Sequence, residues 1–222
     1  MSIDARSTID IEGYAYGGAL SVSTGRQASG SGLVWDGAGA GAGNEVTNTV
    51  SACIDGGSVT TGAGGDVSVP ATDDSTIDSD AGGFALTLSF ANQGSGQTVS
   101  VGLSVGVNIV TDTADADISG ATVDAGGAVN VEAQSLTVIE ALTIAGTLAG
   151  QETNGTGFSG SGAGAGSGNT VRNIGRARVR NGASVTADGG VTVSATDAES
   201  DTDHSEIKAD AGGVAIALTL AQ

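Results

Sequence analysis

Carboxylates two residues apart recur along the chain: Asp78 and Asp80 in "STIDSDA", Asp115 and Asp117 in "TADADIS", and Asp201 and Asp203 in "ESDTDHS". On an extended backbone, residues i and i+2 project from the same face, so each pair would present two oxygen-rich groups side by side. Such pairs suit a hard cation, and calcium is the cofactor they would hold. Clustered carboxylates also equip polysaccharide-processing enzymes, where one acid protonates the leaving oxygen and a second attacks or activates water. The rest of the chain supplies little for either chemistry. His204 is the single histidine, and the single cysteine, Cys53, has no evident partner. Trp35, Tyr14 and Tyr16 are too few to stack along a sugar chain. The nonapeptide calcium repeat is missing. Two like charges on one face repel, so solvated acidic faces are the simpler expectation and no catalytic residue is assigned.

Composition narrows the classes further. The 222 residues include 25 acidic and 7 basic side chains, for a formal charge of -18. That balance opposes binding to nucleic acid or to an anionic membrane surface. No apolar run reaches the length of a membrane span, so no membrane insertion is expected. The opening "MSIDARSTIDIEG" has neither the basic start nor the apolar segment of a secretion signal. Glycine occurs 39 times, proline once, and aromatic residues make up 3%. With apolar content carried mainly by Ala and Val, the chain can build a thin, regular core more readily than a thick globular one. One cysteine excludes an internal disulfide framework.

The elements that would position the carboxylates come from self-comparison. "AGGDVSVPA" ends at Ala71, "AGGAVNVEA" at Ala133 and "DGGVTVSA" at Ala195, each 62 residues after the last. A related segment opens at Ala5, giving units 5–70, 71–132 and 133–194 and a partial unit 195–222. Within them one eleven-residue pattern appears three times: "NEVTNTVSACI" from Asn44, "NIVTDTADADI" from Asn108 and "NTVRNIGRARV" from Asn169. Its odd positions are constrained and its even ones drift. This period of two marks strands with one face inward, and no helical stripe of useful length appears. Inward Asn44, Asn108 and Asn169 would be costly unless hydrogen-bonded, and stacked copies satisfy one another as a ladder. Among the outward residues, Asp115 and Asp117 correspond to Arg176 and Arg178 of the next unit, which predicts cross-strand ion pairs that fix register.

The expected fold is all-β: a β-solenoid, or parallel β-helix-like repeat array, in one elongated domain without significant helix. Short strands, glycine corners at the Gly-Gly pairs and a narrow Ala/Val interior would define it. The rung could hold about 20 residues or the whole 62-residue unit, the ion pairs favouring the larger. The alternative is a stack of antiparallel hairpins. In "VSVGLSVGVN" the large apolar residues occupy the parity opposite to Asn108, which calls for a bulge or for a strand covered on both faces.

The segments "ATVDAGGAVNVEA", "GAGAGAGNEV" and "GAGAGSGNTV" resemble repeats of very large bacterial surface proteins, the filamentous-haemagglutinin-like and leukotoxin-like adhesins. The resemblance covers nearly the whole chain. It implies a structural stalk, spacer or fibre segment at the bacterial cell surface or outside the cell. Its partners would be flanking repeats or identical copies end to end, and host or cell-surface glycans. The contrasting readings are a polysaccharide-acting β-helix enzyme and a calcium-dependent carbohydrate-binding module.

Overall fold

Alternation of inward and outward side chains continues without a break for more than twenty residues at a time, so the strands are long. In the computed structural model, which describes residues 1–25, 32–91, 96–200 and 203–221, the first unit runs through β1 (Ala5–Gly25), β2 (Gly32–Asp55) and β3 (Ser58–Thr60). The second runs through β4 (Val67–Ala91), β5 (Gly96–Ser119) and β6 (Thr122–Ala125). The third runs through β7 (Val129–Thr153), β8 (Gly157–Arg180) and β9 (Ser184–Ala187). A fourth contains β10 (Val191–Thr196), β11 (Ala198–Ser200), β12 (Asp203–His204) and β13 (Glu206–Ala221). No helix occurs among the described residues.

Equivalent strands lie side by side and parallel. Sheet A orders β1-β4-β7, with β10 and β13 both continuing it on β7; sheet B orders β2-β5-β8; the short sheet C orders β3-β6-β9. The fold is a β-solenoid whose rung is the entire repeat unit, because Ala5 faces Ala71, Ala71 faces Ala133, and Ala133 faces Ala195. The antiparallel alternative survives only in the small β11–β12 pair, an excursion inside the fourth rung. With about 3.3 Å per residue, a 24-residue strand spans ~80 Å, whereas four stacked rungs rise only ~19 Å. The molecule is therefore a blade, widest along its strands.

Sheets A and B face one another along the blade, and sheet C closes one end. At that end the three sheets enclose Val50, Ala52, Ile54, Val67, Val69, Ala71 and their counterparts in the next rung. A smaller cluster of Val46, Ile77, Val110 and Ile139 follows along the blade. Beyond it the interior is built of Ala81, Ala85, Thr87, Thr98, Ser100, Ser104, Thr143 and Thr147, all buried. These short side chains let the sheets approach. Ser104 donates its hydroxyl to the Ala81 carbonyl at 2.7 Å and Ser100 donates to Ala85 at 3.2 Å, tying one sheet to the other.

The Gly-Gly pairs of the sheet A strands are not corners. Gly82 and Gly83 lie in the middle of β4, where a Cβ on Gly83 would sit 2.5 Å from the Leu103 carbonyl oxygen of the facing sheet. Gly17 meets the Gly39 carbonyl and Gly213 the Ala163 carbonyl in the same way. Glycine is needed there for close backbone approach. Positive φ belongs to the true corners beside sheet C, such as Gly120 at 59° and Gly64 at 71°. Nor does "VSVGLSVGVN" contain a bulge: register is unbroken from Gly96–Gly157 to Ser119–Arg180. Its Val101, Leu103, Val105 and Val107 point outward and are exposed.

Gly83→Ala forces the facing backbones apart, an overpacking cost of about 1–3 kcal/mol. In a chain of this size it lowers the midpoint of thermal unfolding, followed by circular dichroism, by roughly 2–12 °C. Gly162→Ala, where a Cβ meets nothing within 4 Å, leaves the midpoint nearly unchanged.

Candidate functional site

Asp78 and Asp80 project from the outer face of β4 into columns that run across the rungs. One column reads Glu12, Asp78, Glu140, Lys208; its neighbour reads Tyr14, Asp80, Leu142, Asp210. Asp78, Asp80, Glu140, Leu142, Lys208 and Asp210 line a shallow groove of about 270 Å³ with Ala141. Lys208 lies 3.1 Å from Glu140 Oε1 and 3.4 Å from Glu206, and these contacts hold its ammonium pKa above the ordinary value. The negative charge of Glu12, followed by that of Asp78, pushes the Tyr14 phenol upward as well. The groove is a screened acidic surface. Among the described residues, no three His, Cys, Asp or Glu side chains converge to hold a metal ion.

Asp115 and Asp117 sit at the junction of sheets B and C, in a groove of about 340 Å³ shared with Ser51, Cys53, Asp55, Ser119, Arg180 and Asn181. Their Cα atoms lie opposite those of Arg176 and Arg178. The ion pairs do not follow that pairing: Arg178 Nη2 donates to both Asp115 oxygens at 2.7 and 2.6 Å, and Arg180 Nε donates to Asp117 at 2.7 Å. Each carboxylate thus takes the arginine two positions further along, and Arg176 forms no ion pair among the described residues. The reason is reach: an arginine leaning along its strand finds its headgroup beside the diagonal neighbour, not the residue directly opposite. Both guanidinium groups are partly exposed, so solvent screens these pairs and they act mainly on register. The arginines engage both Asp115 oxygens and Asp117 Oδ2, while Asp117 Oδ1 has no hydrogen-bond partner. Cys53 is exposed. Asp203 lies in β12, whose backbone pairs with β11, so the extended strand expected around Asp201 and Asp203 is replaced there by an antiparallel excursion. Asp201 itself falls outside the described residues.

Asn44, Asn108 and Asn169 occupy one column of sheet B. Asn44 Nδ2 donates to Asn108 Oδ1 at 2.9 Å, Asn108 Nδ2 donates to Asn169 Oδ1 at 2.8 Å, and Asn169 Nδ2 donates to Ser167 Oγ at 3.1 Å. Asn108 is completely buried. A primary amide carries a donor and an acceptor on opposite edges, so one residue type can pass the bond from rung to rung.

Four residues further along, at the fifth position of the eleven-residue pattern, a second polar layer crosses the interior. Asn48 Nδ2 donates to Asp73 Oδ1 and to Ser7 Oγ, both at 2.8 Å. Thr137 contacts Asp112 Oδ2 at 3.3 Å and Asn173 Oδ1 at 3.0 Å, while Asn173 Nδ2 donates to Asp197 at 2.7 Å. Asp73 and Asp112 have zero exposure, and one oxygen of each has no hydrogen-bond partner. Burial, then repulsion from Asp112, pushes the Asp73 carboxyl up to about 6, while Asn48 and the Asp74 backbone pull it back. Burial also raises Asp112, against the hydroxyls of Ser75 and Thr137. The available signal was parity: Asp112 shares its inward set with Val110 and Ala114, and Asp73 shares its own with Ala71 and Ile77.

These arrangements hold rungs in register. No family model matches the chain, and no curated protein or solved structure matches it either.

Asp73 titrates near 6 when folded and near 3.8 when unfolded. Between those values the folded chain holds a proton that the unfolded chain releases, so this group favours folding most below about pH 4. That contribution fades as pH rises to about 6 and changes little above it. In Asp73→Asn the melting-temperature profile loses this slope. Asp112→Asn extends the neighbouring Asn48 and Asn173 column, removes the repulsion, and raises the melting temperature at pH 7 by a few degrees. An unchanged difference profile between pH 4 and 6 in Asp73→Asn contradicts the assignment.

Proposed function

We propose that this chain is a structural repeat segment, a stalk, spacer or fibre-forming unit of an extracellular bacterial surface protein or adhesin. The observation that carries the reading is the continuity of its columns. Ile11, Ile77, Ile139 and Ile207 form one row across four rungs, and Val67, Val129 and Val191 another. A lattice built of such rows has no preferred number of rungs. Its outer strands β1, β2 and β3 present unpaired backbone groups that accept another rung in the same register. Flanking repeats or identical copies meeting end to end are the partners that fit those edges. The resemblance of the Gly-Ala and "AGG" segments to adhesin repeats supports the surface location, with host or cell-surface glycans as the target class of the parent adhesin. The polar interior layers serve this role by penalising any rung that docks out of register.

Negative-stain electron microscopy of the purified chain tests the proposal. Ribbons ~80 Å wide are expected for end-to-end stacking, with the rung repeat of about 4.8 Å appearing in fibre diffraction from them. Isolated blades of the same width identify a spacer whose neighbours come from the parent chain. Compact particles lacking that long dimension contradict a stalk of stacked rungs.

A further inference from the structure

The outward face of sheet B has a relief that the stacking of rungs does not explain. On β5, Val101, Leu103, Val105 and Val107 form a single apolar ridge, between 40% and 56% exposed. Opposite them on β2 stand Gly37, Gly39, Gly41 and Gly43; opposite them on β8 stand Gly162, Gly164, Gly166 and Gly168. The ridge is therefore flanked on both sides by strands with no outward side chain. Around Gly162, Gly166 and Gly168 nothing lies within 4 Å of where a Cβ would be. Sheet A differs: there Phe84, Leu88 and Tyr16 lean over Gly146, Gly150 and Gly82 and fill the space above them. In sheet B the β8 trough stays open at Gly162, Gly166 and Gly168, while Leu103 Cδ2 comes within 3.3 Å of the Cβ position at Gly164.

Charge is also excluded from this face. No outward residue from Leu33 to Gly43, from Gln97 to Ile109, or from Phe158 to Thr170 is charged, in a chain whose net charge is -18. We propose that this face is a self-association surface, on which the β5 ridge of one copy seats in the β8 glycine trough of a second copy. The rule is reciprocal. A two-fold axis parallel to the strands and midway between β5 and β8 places each ridge over the other copy's trough, the isologous arrangement of a closed dimer. With the axis between β5 and β8 only these two strands of each copy overlap, so at about 4.8 Å spacing over eleven residues the shared face is near 10 by 35 Å, on the order of 350 Å² per copy. Two such faces reach roughly 700 Å², below the size of a stable specific interface, so the pairing is weak and transient. A repeat protein with more rungs would enlarge the same contact in proportion. Lateral pairing through this face is separate from end-to-end addition of rungs, which uses backbone edges on other strands.

Sedimentation equilibrium over a micromolar concentration series tests the proposal on the intact chain. The mass is expected to rise from 21.1 kDa toward twice that value. Added salt should strengthen association, because it screens repulsion between acidic copies and leaves the apolar contact intact. Leu103→Lys, at an exposed position, weakens dimerisation at least tenfold. Gly166→Val is the sharper variant, since its side chain enters open space in the monomer and blocks only the trough. It too should weaken the dimer at least tenfold, with the circular dichroism spectrum unchanged, although it makes the face more apolar. Equal or tighter association of Gly166→Val would show non-specific stickiness and overturn the ridge-in-trough reading. A wild-type chain that stays monomeric, or one that binds phosphatidylcholine vesicles without pairing, overturns it as well. Ribbons that persist in Leu103→Lys leave end-to-end stacking standing, so failure of one proposal is separable from failure of the other.

Discussion

Parallel pairing in strict register every repeat unit is the constraint from which the other features follow. It turns each sequence position into a column of near-identical environments, so a choice made in one rung is imposed on the next. Apolar columns meet this easily, as the isoleucine row from Ile11 to Ile207 shows. Polar columns must carry donors and acceptors in sequence. The amides of Asn44, Asn108 and Asn169 do so with one residue type. The layer of Asn48, Asp73, Asp112, Thr137 and Asn173 does so by exchange, with acids opposed by amides or hydroxyls. Slipping one rung by a single residue would place these groups against the outward face's partners and leave several buried polar atoms unpaired, at about 1–3 kcal/mol each.

The same blade changes character along its length. Near sheet C the interior is apolar and the corner glycines turn the chain with positive φ. Toward the far end the interior becomes Ser, Thr, Ala and Gly, the facing backbones nearly touch at Gly17, Gly83 and Gly213, and the large apolar side chains move outside. This inversion follows from thickness. Two sheets tied by hydroxyl-to-carbonyl bonds have no room for Leu or Val between them, so such residues must stand on the outer faces. The far end thereby gains an interactive surface, while the sheet C end supplies the stability.

Much of this was legible in the sequence, and the failures share a cause. The repeat spacing and the period of two carry the all-β solenoid class, because both are backbone properties that side-chain detail cannot alter. Which of two alternating sets faces inward is less secure where both are small or both apolar, and Leu103 and Val105 were ambiguous for that reason. Glycine serves tight turns and close approach alike, so the pairs at 82–83 and 212–213 read as corners until the facing sheet is in view. The arginine pairing missed by one step because sequence spacing gives Cα register and not the lean of a long side chain. Asp112 is legible as inward from the fifth position of the eleven-residue pattern, whereas Asp73 looks like any other residue of an acidic chain until sheet A closes on sheet B.

Native Cys53 offers the most direct check on register, since its Cα partner in the next rung is Asp117. Neighbouring strands lie about 4.8 Å apart, inside the range a disulfide can bridge, whereas the diagonal neighbour Asp115 is about 8 Å away and beyond it. Mild oxidation of Asp117→Cys should close an intrachain disulfide, detected as a loss of free thiols in the monomer and a faster-migrating band without reductant. Asp115→Cys should remain reduced under the same conditions. Closure in Asp115→Cys but not in Asp117→Cys, or equal closure in both, would contradict the stacked register from which the structure and its proposed role are argued.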